Sequence, residues 1–176
     1  MSEIKFQNKY RIPSARYPHH AYDGGMYFVT ICTKDFRHYF GTIDDNGKIN
    51  LSPIGQFVEK QIERTKDLRK DISADIPLYV IMPNHVHLIV FIDNSATTET
   101  EEPTNKFGSQ SKNLASIVRG IKSATKGFAN KNEIPFEWQS RYHDRIIRDY
   151  NELNRIADYI INNPMNWVTD KYYNSL

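Results

Sequence analysis

The chain has 176 residues, of which 39% are hydrophobic, and a net charge of +2, so one globular domain with a sizeable core is expected over residues 1–176. Its single cysteine, Cys32, excludes an intramolecular disulfide and a cysteine-rich zinc site, and it suits a reducing compartment. Residues 1–9 are too polar for a secretory signal, and no run reaches the roughly 18 apolar residues of a membrane span. We therefore expect a soluble, cytoplasmic protein without a membrane partner.

Basic residues are concentrated in two stretches. Residues 4–22 and 112–132 contain lysine and arginine but no acid. The first stretch belongs to an irregular basic arm, residues 1–25, in which Arg16 is a candidate DNA contact. Local basic zones on a nearly neutral chain fit a surface that follows a phosphate backbone. A solvated face balanced by neighbouring charges is an equal alternative.

The first half of the chain contains clear signals for strands and a helix. Residues 26–33 have the composition of a strand. Residues 39–51 predict a small hairpin around the turn Asn46-Gly47. Ser52 is the expected N-cap of a helix whose first residue is Pro53.

The most apolar run, residues 79–92, contains two histidines, and the predicted strand region around it starts at residue 76. Its break at Pro83-Asn84 allows either two antiparallel strands or one bent strand. We favour one long strand with its break near residues 74–76. Side chains two residues apart in a strand share a face, so His85 and His87 project together and can bind a metal.

The second half of the chain begins with a polar segment, residues 93–111, that predicts a flexible loop. A helix over about 112–130 has an apolar stripe beside a basic face formed by Arg119, Lys122 and Lys126. A short strand, 142–148, and a helix, about 150–163, capped by Asp149, follow. This order favours an α+β, ferredoxin-like βαββαβ fold with an antiparallel sheet and helices on one face.

The last helix places Tyr159 and Asn163 on one flank, with Arg155 a turn earlier. If this flank faces the histidines, the Asn163 amide oxygen can join them around a hard divalent ion. The Tyr159 hydroxyl can then attack a phosphodiester whose phosphate Arg155 binds. No side chain stands out as the base. Each feature also has an ordinary explanation, such as Asn163 before Pro164 as a helix stop.

Five stretches together resemble the single-tyrosine HUH transposases, in which a strand carries histidine, a hydrophobic residue and histidine. Residues 82–89 (Met-Pro-Asn-His-Val-His-Leu-Ile) match that motif. Residues 138–139, 142–148 and 153–164 resemble the C-terminal block of the REP-associated tyrosine transposases, and residues 27–30 resemble their first strand. The matches follow one another between about residues 16 and 168, which is nearly the whole chain.

The resemblance implies an RNA-recognition-like sheet and a nuclease that cuts and rejoins single-stranded DNA beside a hairpin. It assigns Mg²⁺ or Mn²⁺ to His85, His87 and Asn163. It also assigns Tyr159 as the nucleophile that becomes a 5′-phosphotyrosine while a 3′-hydroxyl is released. Relatives in mobile elements are dimers that exchange the tyrosine helix, whereas the REP-associated branch can be monomeric. A homodimer and a monomer both stay open.

Two other functions remain in competition at this point. The chain can be a non-catalytic module that binds hairpin DNA or RNA, or a metal-dependent hydrolase that activates water. A smaller alternative concerns Trp138, which can stack on an unpaired base or pack in the core.

Overall fold

The computed structural model describes residue 7 and residues 24–68, 73–93 and 113–173. Arg16, with most of the predicted arm, and residues 94–111 of the predicted loop lie outside the described residues. None of the described helices combines the length and the apolar content needed to cross a membrane. The described elements, in chain order, are β1 (Gly25–Cys32), a 3-10 turn (Lys34–Phe36), β2 (Gly41–Ile43), β3 (Ile49–Leu51), α1 (Pro53–Glu63), α2 (Thr65–Leu68), β4 (Ala74–Ile81), β5 (His85–Ile92), α3 (Leu114–Lys131), β6 (His143–Ile146), α4 (Tyr150–Asn162) and a second 3-10 turn (Trp167–Thr169).

Four of the strands form one antiparallel sheet. Their spatial order is β4-β5-β1-β6, and β2 and β3 form a separate hairpin. The strand that comes first in the sequence is therefore inside the sheet, and the last strand lies at its edge. This arrangement, with helices between the strands, is that of the ferredoxin-like fold. The predicted fold class is confirmed.

The run from β4 to β5 forms two strands, so the favoured prediction of one long strand was wrong. Ile81 pairs with Val86 across the two strands, and the Met82 N–H donates to the His85 carbonyl at 2.8 Å. Pro83 has no N–H to offer to a strand ladder, so the chain reverses there despite its unbroken hydrophobicity. As a result, His85 is the first residue of β5 and lies at one end of the sheet.

The alternation of side chains along β5 divides the core between the two faces of the sheet. Val86, Leu88 and the other even-numbered residues of β5 lie in the core that also contains residues of α1 and α3. Ile89 lies in a second core with Leu153 and other residues of α4. His85 and His87 share the parity of Ile89 and therefore face α4. Helices α1 and α3 cover one face, and α4 covers the other. The prediction that the helices share one face was therefore wrong for α4, because its apolar stripe packs on the histidine side of β5.

Side-chain caps mark the starts of the three longest helices. Ser52, Asn113 and Asp149 each accept the backbone N–H of the residue three positions later, at 3.1, 3.1 and 2.8 Å. Ser52 and Asp149 were both predicted as caps. Because Asn113 is a cap, α3 starts at Leu114, two residues later than predicted. Helix α4 ends one residue early, and Asn163 is its C-cap.

Candidate active site

Two buried imidazoles form the centre of the site. His85 and His87 have no exposed surface, and their Nε2 atoms lie 3.0 Å apart. Burial lowers the pKa of His85 to about 3, and burial together with the neighbouring His85 lowers the pKa of His87 well below its ordinary value. Both rings are therefore neutral at physiological pH. Two lone pairs at this distance repel each other unless a proton or a cation lies between them.

The far side of the His85 ring is held in a defined orientation. Asn84 Nδ2 donates to the carbonyls of Phe36 and Tyr172, at 3.1 and 2.8 Å. Asn84 Oδ1 is therefore the atom that meets His85 Nδ1 at 2.8 Å. An oxygen of this kind can only accept, so the proton of His85 is on Nδ1 and its Nε2 presents a lone pair.

His87 is held in a similar way from β1. Thr30 Oγ1 lies 2.8 Å from His87 Nδ1, and Thr30 and His87 pair directly across the two strands. The hydroxyl can serve as either donor or acceptor. Each imidazole thus has one nitrogen engaged by a neighbouring polar group, while both Nε2 atoms point to the same place.

Helix α4 brings Tyr159 to the imidazoles. The Tyr159 hydroxyl lies 3.2 Å from His87 Nε2 and donates to Asp170 Oδ2 at 3.0 Å. Burial, the negative charge of Asp170 and the hydrogen bond to it raise the pKa of Tyr159 above its ordinary value. The phenol is consequently protonated at neutral pH.

Asn163 lies one turn after Tyr159 and is buried. Its Nδ2 donates to Asp170 Oδ2 at 2.7 Å. Its Oδ1 has no hydrogen-bond partner among the described residues. A buried carbonyl oxygen without a partner costs free energy, so this atom is a natural place for a cation to bind.

Asp170 belongs to the site but was missed by the sequence analysis. Its carboxylate and the two imidazoles place one ligand atom each within 4.8 Å of one another. Asp170 Oδ1 also accepts the N–H of Tyr172 at 2.7 Å, which fixes the carboxylate. Asp170 follows the second 3-10 turn in a tail that has no periodic pattern, so nothing in the sequence distinguished it from the other acids of the chain.

The tail covers one side of the histidine pair. The ring of Tyr172 lies 4.6 Å from the ring of His85 and stacks on Phe36 at 5.9 Å, measured between centroids. Lys171 Nζ lies 4.7 Å from the centre of the Tyr172 ring. Residues 170–172 therefore form one wall of the site and also line its open side.

A cavity of about 790 Å³ forms that open side. It lies between α4 and the β1–β6 edge of the sheet and is lined, among others, by Phe28, His143, Arg145, Arg155 and Tyr159. Its size is within the range of pockets that hold whole small-molecule ligands. The nucleophile candidate is therefore in a groove with room for a substituted phosphate.

The predicted DNA contacts are distributed over both faces of the sheet. Arg155 is exposed and lines the cavity beside Tyr159. Arg119, Lys122 and Lys126 are on α3, which covers the opposite face. Lys122 Nζ donates to the carbonyls of residues 139 and 140 at 2.6 and 3.2 Å, and Lys126 Nζ donates to that of residue 136 at 2.6 Å. Arg16 lies outside the described residues.

Trp138 is half-buried and packs against the core. Its ring lies 5.2 Å from Phe40 and 5.0 Å from Phe136, between centroids. Its Nε1 donates to the Lys122 carbonyl at 3.2 Å. The packing alternative for Trp138 is therefore correct, and a different aromatic side chain, Phe28, lies beside Tyr159, with 6.2 Å between the ring centres.

Comparison with known proteins places the chain among relatives. No model of a known protein family matches it. An "Uncharacterized protein" of Haemophilus influenzae (strain ATCC 51907 / DSM 11121 / KW20 / Rd) is 34% identical over 168 residues, which cover 91% of this chain and 92% of the relative. The solved structure of a REP-associated tyrosine transposase bound to a REP hairpin matches with a TM-score of 0.57 and 20% identity, over 89% of this chain and 76% of that one. The chain therefore belongs to one family with the Haemophilus influenzae protein, and its fold is that of the REP-associated tyrosine transposase.

Proposed function

We propose that the protein is a metal-dependent transposase of the tyrosine HUH kind, which cuts single-stranded DNA beside a hairpin and can rejoin the strands. One observation carries the proposal. His85, His87, Tyr159 and Asn163 come from a strand and a helix far apart in sequence, and they meet around one point beside an open groove. Chance packing of a strand histidine pair does not require a phenol beside it, nor a buried amide oxygen that no described residue satisfies.

The donor set fits a divalent cation. It consists of two neutral imidazole nitrogens and the Asn163 Oδ1 atom, and the nearby Asp170 carboxylate adds negative charge that favours a cation. The two Nε2 atoms are near enough to be neighbouring ligands in a site whose metal–nitrogen bonds are about 2.1 Å long. Carboxylate and amide oxygens suit Mg²⁺ and Mn²⁺, which are the ions we propose. When bound, the ion supplies positive charge that polarises the scissile phosphate.

The nucleophile is the Tyr159 oxygen. Its attack on phosphorus forms a bond from Tyr159 Oη to phosphorus and breaks the bond from phosphorus to the 3′-oxygen. One fragment of the cut strand is then joined to the protein through its 5′-phosphate, and the other fragment ends in a 3′-hydroxyl. The phenol has two neighbouring acceptors, His87 Nε2 and Asp170 Oδ2. Asp170 is the acceptor that remains when the His87 lone pair is engaged, and it is the base that the sequence did not reveal. Attack by the 3′-hydroxyl reverses the step and rejoins the strand.

The DNA contacts are part of the proposal. Arg155 is on the helix of the nucleophile and lines the groove, which favours a contact with phosphate near the cut. Arg119, Lys122 and Lys126 face away from the groove, and we assign them, with Arg16, to DNA outside the cleavage site. The ammonium groups of Lys122 and Lys126 must exchange a backbone carbonyl for a phosphate to do so.

A covalent adduct is the test of this function. The protein is incubated with Mg²⁺ or Mn²⁺ and labelled single-stranded DNA that carries a hairpin, and products are separated under denaturing conditions. We expect an adduct that resists denaturation and disappears in Tyr159→Phe. Tyr173→Phe is a matched control because Tyr173 and Tyr159 are similarly exposed, at 40% and 38%.

Other outcomes separate the competing functions. Cleavage without an adduct indicates a hydrolase that activates water. Binding without cleavage, with either ion, indicates a hairpin-binding module. An adduct that persists in Tyr159→Phe means that another side chain is the nucleophile.

A further inference from the structure

The aromatic ring beside the candidate nucleophile has no role in the chemistry described so far. Phe28 is on β1, and its side chain is half-buried in a strand whose other side chains are all buried. Its ring centre lies 5.2 Å from that of His87 and 6.2 Å from that of Tyr159, the latter in an edge-on arrangement. The ring also lines the cavity. An aromatic surface is thus present in the groove next to the reacting phenol.

Basic side chains that can contact phosphate line the groove around this ring, together with the acids Asp144, Glu152 and Asp170. In the β1–β6 register, Phe28 pairs with Arg145, and Thr30 pairs with His143. Both β6 side chains are exposed and line the groove, as Arg155 does from α4. Arg145 is held by an ion pair with Glu152 at 2.6 Å. Arg155 has no hydrogen-bond or ion-pair partner among the described residues.

These observations combine a flat apolar surface with a guanidinium, on the other wall of one groove, that has no partner in the described part of the chain. Stacking of an unpaired base on an aromatic ring is favourable and tolerant of sequence, and arginine supplies the phosphate contact. On sheets of this kind, aromatic strand residues commonly serve as platforms for bases. The groove is also far larger than a single phosphate needs.

We infer that Phe28 is a stacking platform for an unpaired base of single-stranded DNA next to the scissile phosphate, with Arg155 binding the adjoining backbone. The inference rests on the proposed function for its ligand and adds the position of one nucleotide. Phe28 acts here as a positioning residue. It fixes the strand so that the phosphate reaches the Tyr159 hydroxyl, and it takes no part in bond formation.

The experiment separates base stacking from phosphate binding. Two labelled polymers are titrated into the protein with a chelator present, so that no metal-dependent cleavage occurs. One is a thymidine oligonucleotide of about 16 nucleotides, the upper end of common single-domain site sizes. The other has the same length and charge but abasic sugars throughout. The variants are Phe28→Leu, Phe28→Tyr and Arg155→Gln.

Matched controls come from the opposite face of the sheet. Phe57 is half-buried and stacks on Phe128 at 4.2 Å between α1 and α3, so Phe57→Leu repeats the loss of an aromatic ring away from the groove. Arg64 is exposed at the end of α1, so Arg64→Gln repeats the loss of a guanidinium.

Phe28→Leu should weaken binding of the thymidine oligonucleotide at least about fivefold, as expected from the lower end of one base–aromatic stack. It should leave the abasic polymer unchanged, which also shows that the variant is folded. Phe28→Tyr should bind both polymers as the parent does. Arg155→Gln should weaken both and lower the salt dependence by about one phosphate contact. The two control variants, Phe57→Leu and Arg64→Gln, should bind both polymers with the affinity of the parent.

Two results overturn the inference. One is equal thymidine affinity in Phe28→Leu and the parent, and the other is no thymidine binding by the parent. The adduct assay separates this inference from the proposed function. If the parent forms the adduct and Phe28→Leu binds thymidine normally, the platform inference fails and the proposed function stands. If the parent forms no adduct but needs Phe28 for base-dependent binding, the platform inference stands and the proposed transposase function fails.

Discussion

The Tyr159 hydroxyl lies 3.2 Å from His87 Nε2, although 72 residues separate the two in the chain. His87 is held by its strand neighbours, whereas Tyr159 depends on how α4 packs against the sheet through Leu153 and Ile160. The site therefore consists of two halves that depend on different parts of the core. Substitutions can test the halves separately.

Asn84→Ala should weaken Mn²⁺ binding about 10- to 100-fold without removing a ligand, which is the usual effect of losing a group that orients a metal-binding histidine. Asn84 Oδ1 keeps the Nδ1 proton of His85 in place, and its Nδ2 ties the turn and the tail to the site. The measurement is calorimetric titration with Mn²⁺.

Asn46→Ala is the control for that titration, because Asn46 is exposed in the turn between β2 and β3. An unchanged dissociation constant in Asn84→Ala would show that the site does not depend on the orientation of His85.

Without bound metal, the protein should lose stability as the pH falls from about 6.5 towards 3. Burial lowers the pKa of His85 from 6.5 to about 3, so in this window the unfolded chain binds a proton that the folded site excludes. The free energy of unfolding should fall by about 1.4 kcal/mol per pH unit for one such histidine. Urea unfolding at several pH values measures this slope.

His85→Gln should flatten the pH dependence, since one of the two buried imidazoles is gone. If the slope of His85→Gln equals that of the parent, the buried ring is not what sets the acid sensitivity.

Asp170→Asn should lower the pKa of Tyr159 towards its ordinary value near 10. Burial raises this pKa first, and the charge of Asp170 raises it further. The substitution removes the charge but preserves the size of the side chain. Tyrosinate absorbance is titrated in the parent and in Asp170→Asn, and subtraction of the matching Tyr159→Phe protein isolates the one phenol.

Asp158→Asn is the control for the charge effect, because Asp158 precedes Tyr159 on α4 but is exposed. An unshifted Tyr159 titration in Asp170→Asn would mean that the Asp170 carboxylate does not raise the pKa of the phenol in solution.

The sequence predicted the parts of the site that follow from simple periodicities. A period of two places His85 and His87 on one face, and a spacing of four places Tyr159 and Asn163 on one flank. Both patterns survive in the structure because β5 and α4 are regular there. The turn at Pro83 was one of two alternatives, since hydrophobicity alone cannot distinguish a buried strand from two strands joined tightly.

The remaining features depend on tertiary contacts that have no sequence period. Asp170 reaches the site because a 3-10 turn after Pro164 folds the tail back over the histidines. Lys122 and Lys126 are on the predicted basic face, yet their ammonium groups donate to the carbonyls of a neighbouring loop. A helical wheel gives the direction of a side chain but not its hydrogen-bond partner.

The basic face of α3 should therefore separate into two kinds of residue. Lys122→Met should destabilise the protein by about 1–3 kcal/mol, because two backbone carbonyls lose a charged donor. Arg119→Gln should change stability by less than about 0.5 kcal/mol, because substitutions of exposed side chains usually cost no more, and should reduce the salt dependence of DNA binding by about one contact. Urea unfolding and salt-dependent binding are measured on both variants. An Arg119→Gln slope equal to that of the parent would remove this residue from the DNA surface.

A single chain should be sufficient for the chemistry, because its own His87 and Tyr159 meet in one site. Tyr159→Phe and His87→Ala should each be inactive in the adduct assay, and a mixture of the two should be inactive as well. In a dimer that exchanges the tyrosine helix, the mixture would assemble one site with an intact phenol and an intact histidine pair, and activity would return. The mixture is incubated long enough for subunits to exchange, with the parent diluted into Tyr159→Phe as a positive control. Recovered adduct would show that the site is shared between chains.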